Sequence, residues 1–190
     1  MNTKKLALTI VLAALTVALN PVISGIGVPA PYMPFLIYGI WEIPIVVAFL
    51  LIGPASGIAV SVLNAVTLLA YANALPLAPF YNLAAIMCML LGIFTSEKLI
   101  KKGTLKIRNA AAVVVIGTTI GIFFRLALMT TLNYVTLQQP YPIGYELSMQ
   151  AITAMLPAIG LFNATVVLYT VPVAYTIVKT IKGNTRLNLE

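Results

Sequence analysis

The arrangement of basic residues between long apolar segments constrains this chain more than any other feature. Ten of the eleven Lys and Arg residues fall into three groups, and the exception is Arg125. Only 8% of the 190 residues are charged, and the mean hydropathy is +1.04. A chain with so little polar surface cannot cover a soluble core, so we expect an integral membrane protein. The groups are Lys4 and Lys5; Lys98, Lys101, Lys102, Lys106 and Arg108; and Lys179, Lys182 and Arg186.

The apolar segments, bounded by Pro, Gly, Asn and charged residues, predict six helices. About 20 apolar residues are needed to cross roughly 30 Å of hydrocarbon, so a chain of this length has room for one compact bundle. We therefore expect an all-α fold, with residues 1–190 forming a single six-helix membrane domain. The predicted helices are 6–23, 35–52, 55–74, 80–97, 109–134 and 147–178.

The basic groups also predict the orientation of the bundle, because loops rich in Lys and Arg stay in the cytoplasm. Six helices place all three groups and both termini on the cytoplasmic side, whereas five would leave one group outside. The prediction is a multi-pass protein of the cell membrane. Loops 20–34, 73–79 and 133–146 are then extracellular, and the prolines of the first predict a stiff, non-helical cap. Contact with anionic membrane lipid accounts for the basic groups without a nucleic-acid partner.

The residue types that are missing exclude several kinds of chemistry. The chain has no His and no Asp, and it has one Cys and four scattered Glu. Zinc and magnesium sites need imidazole, thiolate or clustered carboxylate ligands, so no metal and no cofactor is expected. Neither a Ser-His-Asp triad nor a P-loop ATPase site can be built. We expect a protein that is not an enzyme.

Two charged residues within predicted helices are the sharpest candidates for a functional site, since charge at bilayer depth is costly. Glu42 is expected about two turns into the second helix, and Arg125 in the outer half of the fifth. They could pair with each other, or each could contact a ligand. Arg125 shares one helix face with small residues on its cytoplasmic side and polar ones beyond it, which predicts close packing below and a cavity above. That face carries Gly117, Gly121, Arg125, Met129 and Asn133.

Amide and aromatic side chains add further candidates. Asn64 and Asn163 lie near the middle of the third and sixth predicted helices, where an amide needs a partner on another helix or on a ligand. The aromatic residues near the outer interface fit either an aromatic belt or stacking against a planar ligand. They are Tyr38, Trp41, Tyr81 and Tyr134. On the first helix, Ala7, Ala14 and Ala18 form a smooth stripe suited to contact with another helix, in this chain or in a partner.

Taken together, these residues resemble the substrate-binding S components of energy-coupling factor (ECF) transporters, most of all the riboflavin-specific member. The resemblance spans most of the chain and rests on four motifs in order. They are Ala14-x-x-x-Ala18; Pro34-Phe35-Leu36 through Glu42-Ile43-Pro44 to Gly53-Pro54-x-x-Gly57; Met129-Thr130-x-x-Asn133-Tyr134 before Pro140-Tyr141; and Phe162-Asn163.

The resemblance implies a vitamin pocket in the extracellular half of a six-helix bundle. Glu42, Asn133 and Asn163 would hydrogen-bond a flavin, while Phe35 and other aromatic side chains, with Met129, would enclose its ring plane. Transport would require a membrane T component and two cytoplasmic ATPases. Ala14 and Ala18 match the family's contact with the T component.

Three alternatives stay open on the sequence alone. The chain could be an S component for a different vitamin or small molecule. It could be a stand-alone secondary transporter or channel that uses Glu42 as a proton site. It could also be a membrane scaffold whose small-residue faces recruit other helices.

Overall fold

The structure is a computed structural model, and it describes residues 3–71, 75–103 and 109–184. Lys106, Arg108 and Arg186 of the basic groups lie outside the described residues, as do the end of the predicted helix 55–74 and the start of the predicted loop 73–79.

Helices account for most of the described chain, and one two-stranded hairpin departs from the predicted all-α class. Five of the six predicted segments correspond to helices in the structure, with shifted ends, and the sixth, 35–52, does so only in part. In chain order the elements are α1 (Thr3–Leu19), α2 (Pro21–Ser24), β1 (Val28–Ala30), β2 (Met33–Tyr38), α3 (Ile43–Leu51), α4 (Pro54–Leu68), α5 (Ala78–Lys101), α6 (Ala110–Thr136) and α7 (Met149–Asn184).

The prediction of one helix over 35–52 is wrong in its first part. Residues Met33–Tyr38 form β2, which pairs antiparallel with β1 and sets Val28 opposite Tyr38. The helix begins only at Ile43, with Pro44 in its first turn. Proline is well tolerated there, because the backbone N–H that it lacks would have no partner inside the helix.

The prediction of a non-helical cap over 20–34 is wrong at its start, since the segment contains the helix α2 as well as β1. The predicted helix 6–23 ends at Leu19, and Pro21 opens the separate four-residue helix α2. The side chain of Asn20 accepts a hydrogen bond of 3.1 Å from the backbone N–H of Val22, which is a typical N-cap contact. Asn20 and Pro21 thus end one helix and start the next.

Three of the helices in the described ranges, α5, α6 and α7, are long and apolar enough to cross a membrane, and α4 is a shorter apolar helix. Helix α3 has 9 residues and a length of about 14 Å. It is shorter than the roughly 30 Å of bilayer hydrocarbon, so it does not have the length predicted for it.

Helix α3 forms the centre of the apolar core. It is hydrophobic on every side, and Ile45, Val46 and Ala48 are completely buried where it packs against α1, α4 and α7. A two-residue turn connects it to α4. Gly53 in this turn has a φ of 139°, which a residue with a Cβ rarely adopts.

Helices α5 and α6 cross at a pair of glycines. A Cβ atom on Gly92 would lie 2.7 Å from the Cα atom of Gly121, so the two backbones are in direct contact. A Cβ atom on Gly117 would lie 3.5 Å from the Ser96 hydroxyl and 3.4 Å from that of Tyr175. The end of α5, the start of α6 and the second half of α7 are therefore packed together, as the small residues of α6 predicted.

Replacing Gly92 by Ala is expected to destabilise the protein by about 1–3 kcal/mol, because the new methyl group meets backbone atoms that cannot rotate away. Thermal unfolding of the purified protein in detergent measures the change. Gly117→Ala is the matched control, since its methyl group meets neighbours at ordinary contact distance. Equal losses of stability in the two variants would contradict the account of the crossing.

Candidate functional site

A buried ion pair between α6 and the start of α3 lies at the centre of the candidate site. The Arg125 guanidinium donates from Nη1 to Oε2 of Glu42 at 2.5 Å and from Nη2 to Oε1 at 3.0 Å. Its Nε donates to Oδ1 of Asn163 at 3.0 Å. The three residues are only 3–5% exposed. One arginine side chain thus links α3, α6 and α7, and the sequence-based alternative of an Arg125–Glu42 pair is the one that the structure contains.

The local sequence explains why these groups meet. Glu42 directly precedes α3 rather than lying two turns inside a helix, so the earlier placement is wrong. The positive end of the α3 dipole favours a carboxylate at this point. The Asn163 amide donates from Nδ2 to the carbonyl of Ile159 at 2.9 Å, which turns its Oδ1 toward Arg125. The bidentate geometry is the strongest that an arginine and a carboxylate form.

A large cavity lies between α5, α6 and α7 on one side of Arg125. Its volume is about 730 Å³, within the range typical of small-molecule sites. Most of its wall is apolar, and a few polar side chains point into it. The wall includes Tyr81, Asn82, Ala85, Met129, Asn133, Tyr145, Met155, Ile159, Phe162 and Asn163.

A smaller cavity of about 190 Å³ lies between the hairpin and the start of α3. Asn20, Trp41, Glu42 and Tyr169 contribute to its wall, and the Tyr169 hydroxyl donates to the carbonyl of Gly39 at 2.6 Å. Five residues line both cavities, so the two lie side by side. They are Phe35, Leu36, Asn82, Arg125 and Phe162.

Most of the substrate-binding residues predicted from the sequence line one of these cavities. The smaller cavity is lined by Trp41 and Glu42, and Phe35 and Arg125 line both. Four further predicted residues line only the larger cavity. They are Tyr81, Met129, Asn133 and Asn163.

Three predicted residues line neither cavity. The Tyr38 ring stacks at 4.7 Å on Phe162, which does line both. Asn64 accepts a hydrogen bond of 3.4 Å from the Asn20 amide and so connects the junction of α1 and α2 to α4. The Tyr134 hydroxyl donates to the sulfur of Met149 near the surface.

Asn82 is the clearest residue that sequence analysis missed. Its side chain lines both cavities and makes no hydrogen bond within the described part of the chain. Asn82 could have been identified as an amide side chain within an apolar helix, the same feature that made Asn64 and Asn163 candidates. Tyr145 and Met155 carried no such signal, because nothing in their sequence context distinguishes a cavity wall from a lipid-facing surface. Within the described ranges, no three His, Cys, Asp or Glu side chains come together as metal ligands.

The predicted partner-binding stripe lies on the outside of the bundle. Ala14 and Ala18 are exposed on α1, whereas Thr9, Ala13 and Thr16 on the opposite face are buried. The Thr9 and Ser56 hydroxyls are hydrogen-bonded at 3.1 Å and hold that buried face against α4. The alanine stripe is therefore exposed in the described part of the chain.

Removing either partner of the buried ion pair is expected to destabilise the fold by about 3–5 kcal/mol, because the other charge stays buried without compensation. Glu42→Gln and Arg125→Met would each show this loss in thermal unfolding. The double variant should recover much of it, giving a large coupling energy in the cycle. Glu97→Gln is the control, since Glu97 and the exposed Lys101 are 3.8 Å apart and such surface pairs contribute little. Additive losses in the double variant would contradict the pairing.

The sequence matches no protein-family model and no curated protein. Its fold is similar to that of a solved structure, the S component of a bacterial ECF transporter. The TM-score is 0.76, the alignment covers 96% of this chain and 98% of that one, and 20% of the aligned residues are identical. With the three apolar helices of spanning length, this similarity supports a membrane protein. The chain has the fold of an ECF transporter S component.

Proposed function

We propose that this chain is the substrate-binding S component of an ECF importer and that its ligand is riboflavin or a related flavin. The observation that carries the proposal is a drug-sized cavity inside a fold shared with an S component over nearly its whole length. In this role the chain binds a vitamin and carries out no chemistry of its own.

The composition of the large cavity supports a flat ligand with a few hydrogen-bonding edges. Met129, Met155 and Tyr81 offer polarizable surface for a ring system. Asn133 donates from Nδ2 to the carbonyl of Met129 at 2.6 Å, which leaves its Oδ1 free to accept from a ligand. Asn82 has both donor and acceptor capacity available. This combination of apolar walls and few polar groups is typical of small-molecule sites.

In the proposed topology the chain lies in the cell membrane and crosses it six times. Both termini are in the cytoplasm. Lys98 and Lys101 lie in the last turns of α5, and Lys182 lies in the last turn of α7. Those two ends are packed together with the start of α6. Basic groups gathered at one end of the bundle support a cytoplasmic location for that end.

In the proposed transporter, the chain depends on a T component and cytoplasmic ATPases for uptake. The exposed stripe at Ala14 and Ala18 supports this partnership, because small side chains let another helix approach closely. A stand-alone proton-coupled transporter has less support, since both carboxylate oxygens of Glu42 are engaged by Arg125.

Titrating the purified protein into riboflavin is expected to quench the flavin fluorescence to saturation at one flavin per chain. Asn133→Ala should weaken binding roughly tenfold, as expected when a buried hydrogen bond of about 1.4 kcal/mol is lost. Tyr134→Phe is the neighbouring control and should bind like the wild type, because Tyr134 lines neither cavity. A wild-type protein that is folded but does not quench riboflavin would refute the flavin assignment.

Ala14→Trp is expected to abolish co-purification with the T component and ATPases while riboflavin binding stays intact. The large side chain keeps a partner helix away from α1 without reaching the cavities. Val115→Trp, at an exposed position on α6, is the control and should leave the complex unchanged. Normal assembly of the Ala14→Trp protein would show that α1 is not the contact.

A further inference from the structure

We infer that the ligand of these cavities carries no net charge, and that Glu42 acts by cancelling the charge of Arg125 rather than by binding the ligand. The inference rests on the proposed function only in requiring that the cavities hold a small molecule. It assigns a property to the ligand and a role to Glu42 that the fold alone leaves open.

The charged side chains of the site cancel each other. Among the described residues that line either cavity, Arg125 and Glu42 are the charged ones. They sit in direct contact as a bidentate pair, so their charges cancel at the cavity wall. The other polar groups of the wall are neutral amides and phenols, including Asn82, Asn133 and Tyr145.

The hydrogen-bond donors of Arg125 are almost all used within the protein. A guanidinium has five N–H groups. Two of them are directed to Glu42, one to Asn163 and a fourth, the second N–H of Nη1, to the sulfur of Met89, which is 4.0 Å from that nitrogen. An anionic ligand would find one N–H without a partner, next to a carboxylate that repels it. The Arg125 side chain therefore forms part of the cavity wall and is not available to bind an anion.

A charged ligand would lose hydration energy in these cavities. A charged group that leaves water needs a compensating charge and a full set of hydrogen bonds. A second anion near the start of α3 would be repelled by the Glu42 carboxylate, which lies at that end of the helix. A cation would meet a carboxylate that is already paired with Arg125, and the positive charge of Arg125 would repel it. A neutral ligand meets no such penalty and can use the free amide groups.

The consequence is a defined change in specificity when the Glu42 charge is removed. Glu42→Gln leaves a side chain of nearly the same shape but exposes the positive charge of Arg125 to the cavities. Affinity for an anionic analogue should then rise relative to its neutral partner. The double variant Glu42→Gln/Arg125→Gln is neutral again and should prefer the neutral analogue, as the wild type does.

Two matched pairs of probes test this inference by isothermal titration of the protein in detergent. They are riboflavin with riboflavin 5′-phosphate, and nicotinamide with nicotinate. The wild type should bind the neutral member of the accepted pair at least about tenfold more tightly than its anionic partner. Glu42→Gln should reduce that ratio severalfold or reverse it, while Glu97→Gln, which loses a charge outside the cavities, should keep the wild-type ratio.

The outcomes separate the inference from the proposed function. Wild-type binding of an anionic probe as tight as that of its neutral partner would overturn the inference and leave the S-component role standing. An unchanged ratio in a folded Glu42→Gln protein would do the same, and if that variant does not fold, the wild-type ratio and the double variant decide. If none of the four probes binds, the flavin assignment fails. The charge of the small molecule extracted with the protein then decides the inference: a neutral species supports it and an ion overturns it.

Discussion

The buried pair of Arg125 and Glu42 is the interaction on which the rest of this structure depends. It joins the middle of α6 to the start of α3, and Asn163 adds α7 to the same cluster. Two ions out of water are stable only when each satisfies the other, which here requires the chain to leave the hairpin and begin α3 at one defined point. The two cavities lie on either side of this cluster, so the same contact that organises the fold also forms the shared wall of the candidate site.

The long helices were predictable because their signals are local. Apolar segments bounded by charge, Asn and Pro gave α5, α6 and α7 with ends displaced by a few residues. The hairpin was not predictable in the same way, since the apolar run from Phe35 onward has no charge before Glu42 to separate strand from helix. Pro44 was the neglected signal, because a proline marks the first turn of a helix far more often than its interior.

The candidate site was predicted in part for a related reason. The face of α6 that carries Gly121, Arg125 and Asn133 follows from helical spacing. In the structure, Gly121 is tightly packed and Asn133 lines a cavity. Which distant groups meet Arg125 depends on how three helices pack, which one sequence does not encode locally. Asn64 illustrates the limit, because its burial in mid-helix resembles that of Asn163 but its partner is Asn20, between α1 and α2.

The candidate site is a largely apolar pocket in a fold shared with an S component. Its wall contains an ion pair that carries no net charge. The most direct test is an experimental structure of the purified protein bound to riboflavin. The account predicts ligand density between α5, α6 and α7, in contact with Asn133, with the Arg125–Glu42 pair still closed beside it. Ligand density elsewhere, or a ligand that replaces Glu42 as the partner of Arg125, would contradict it.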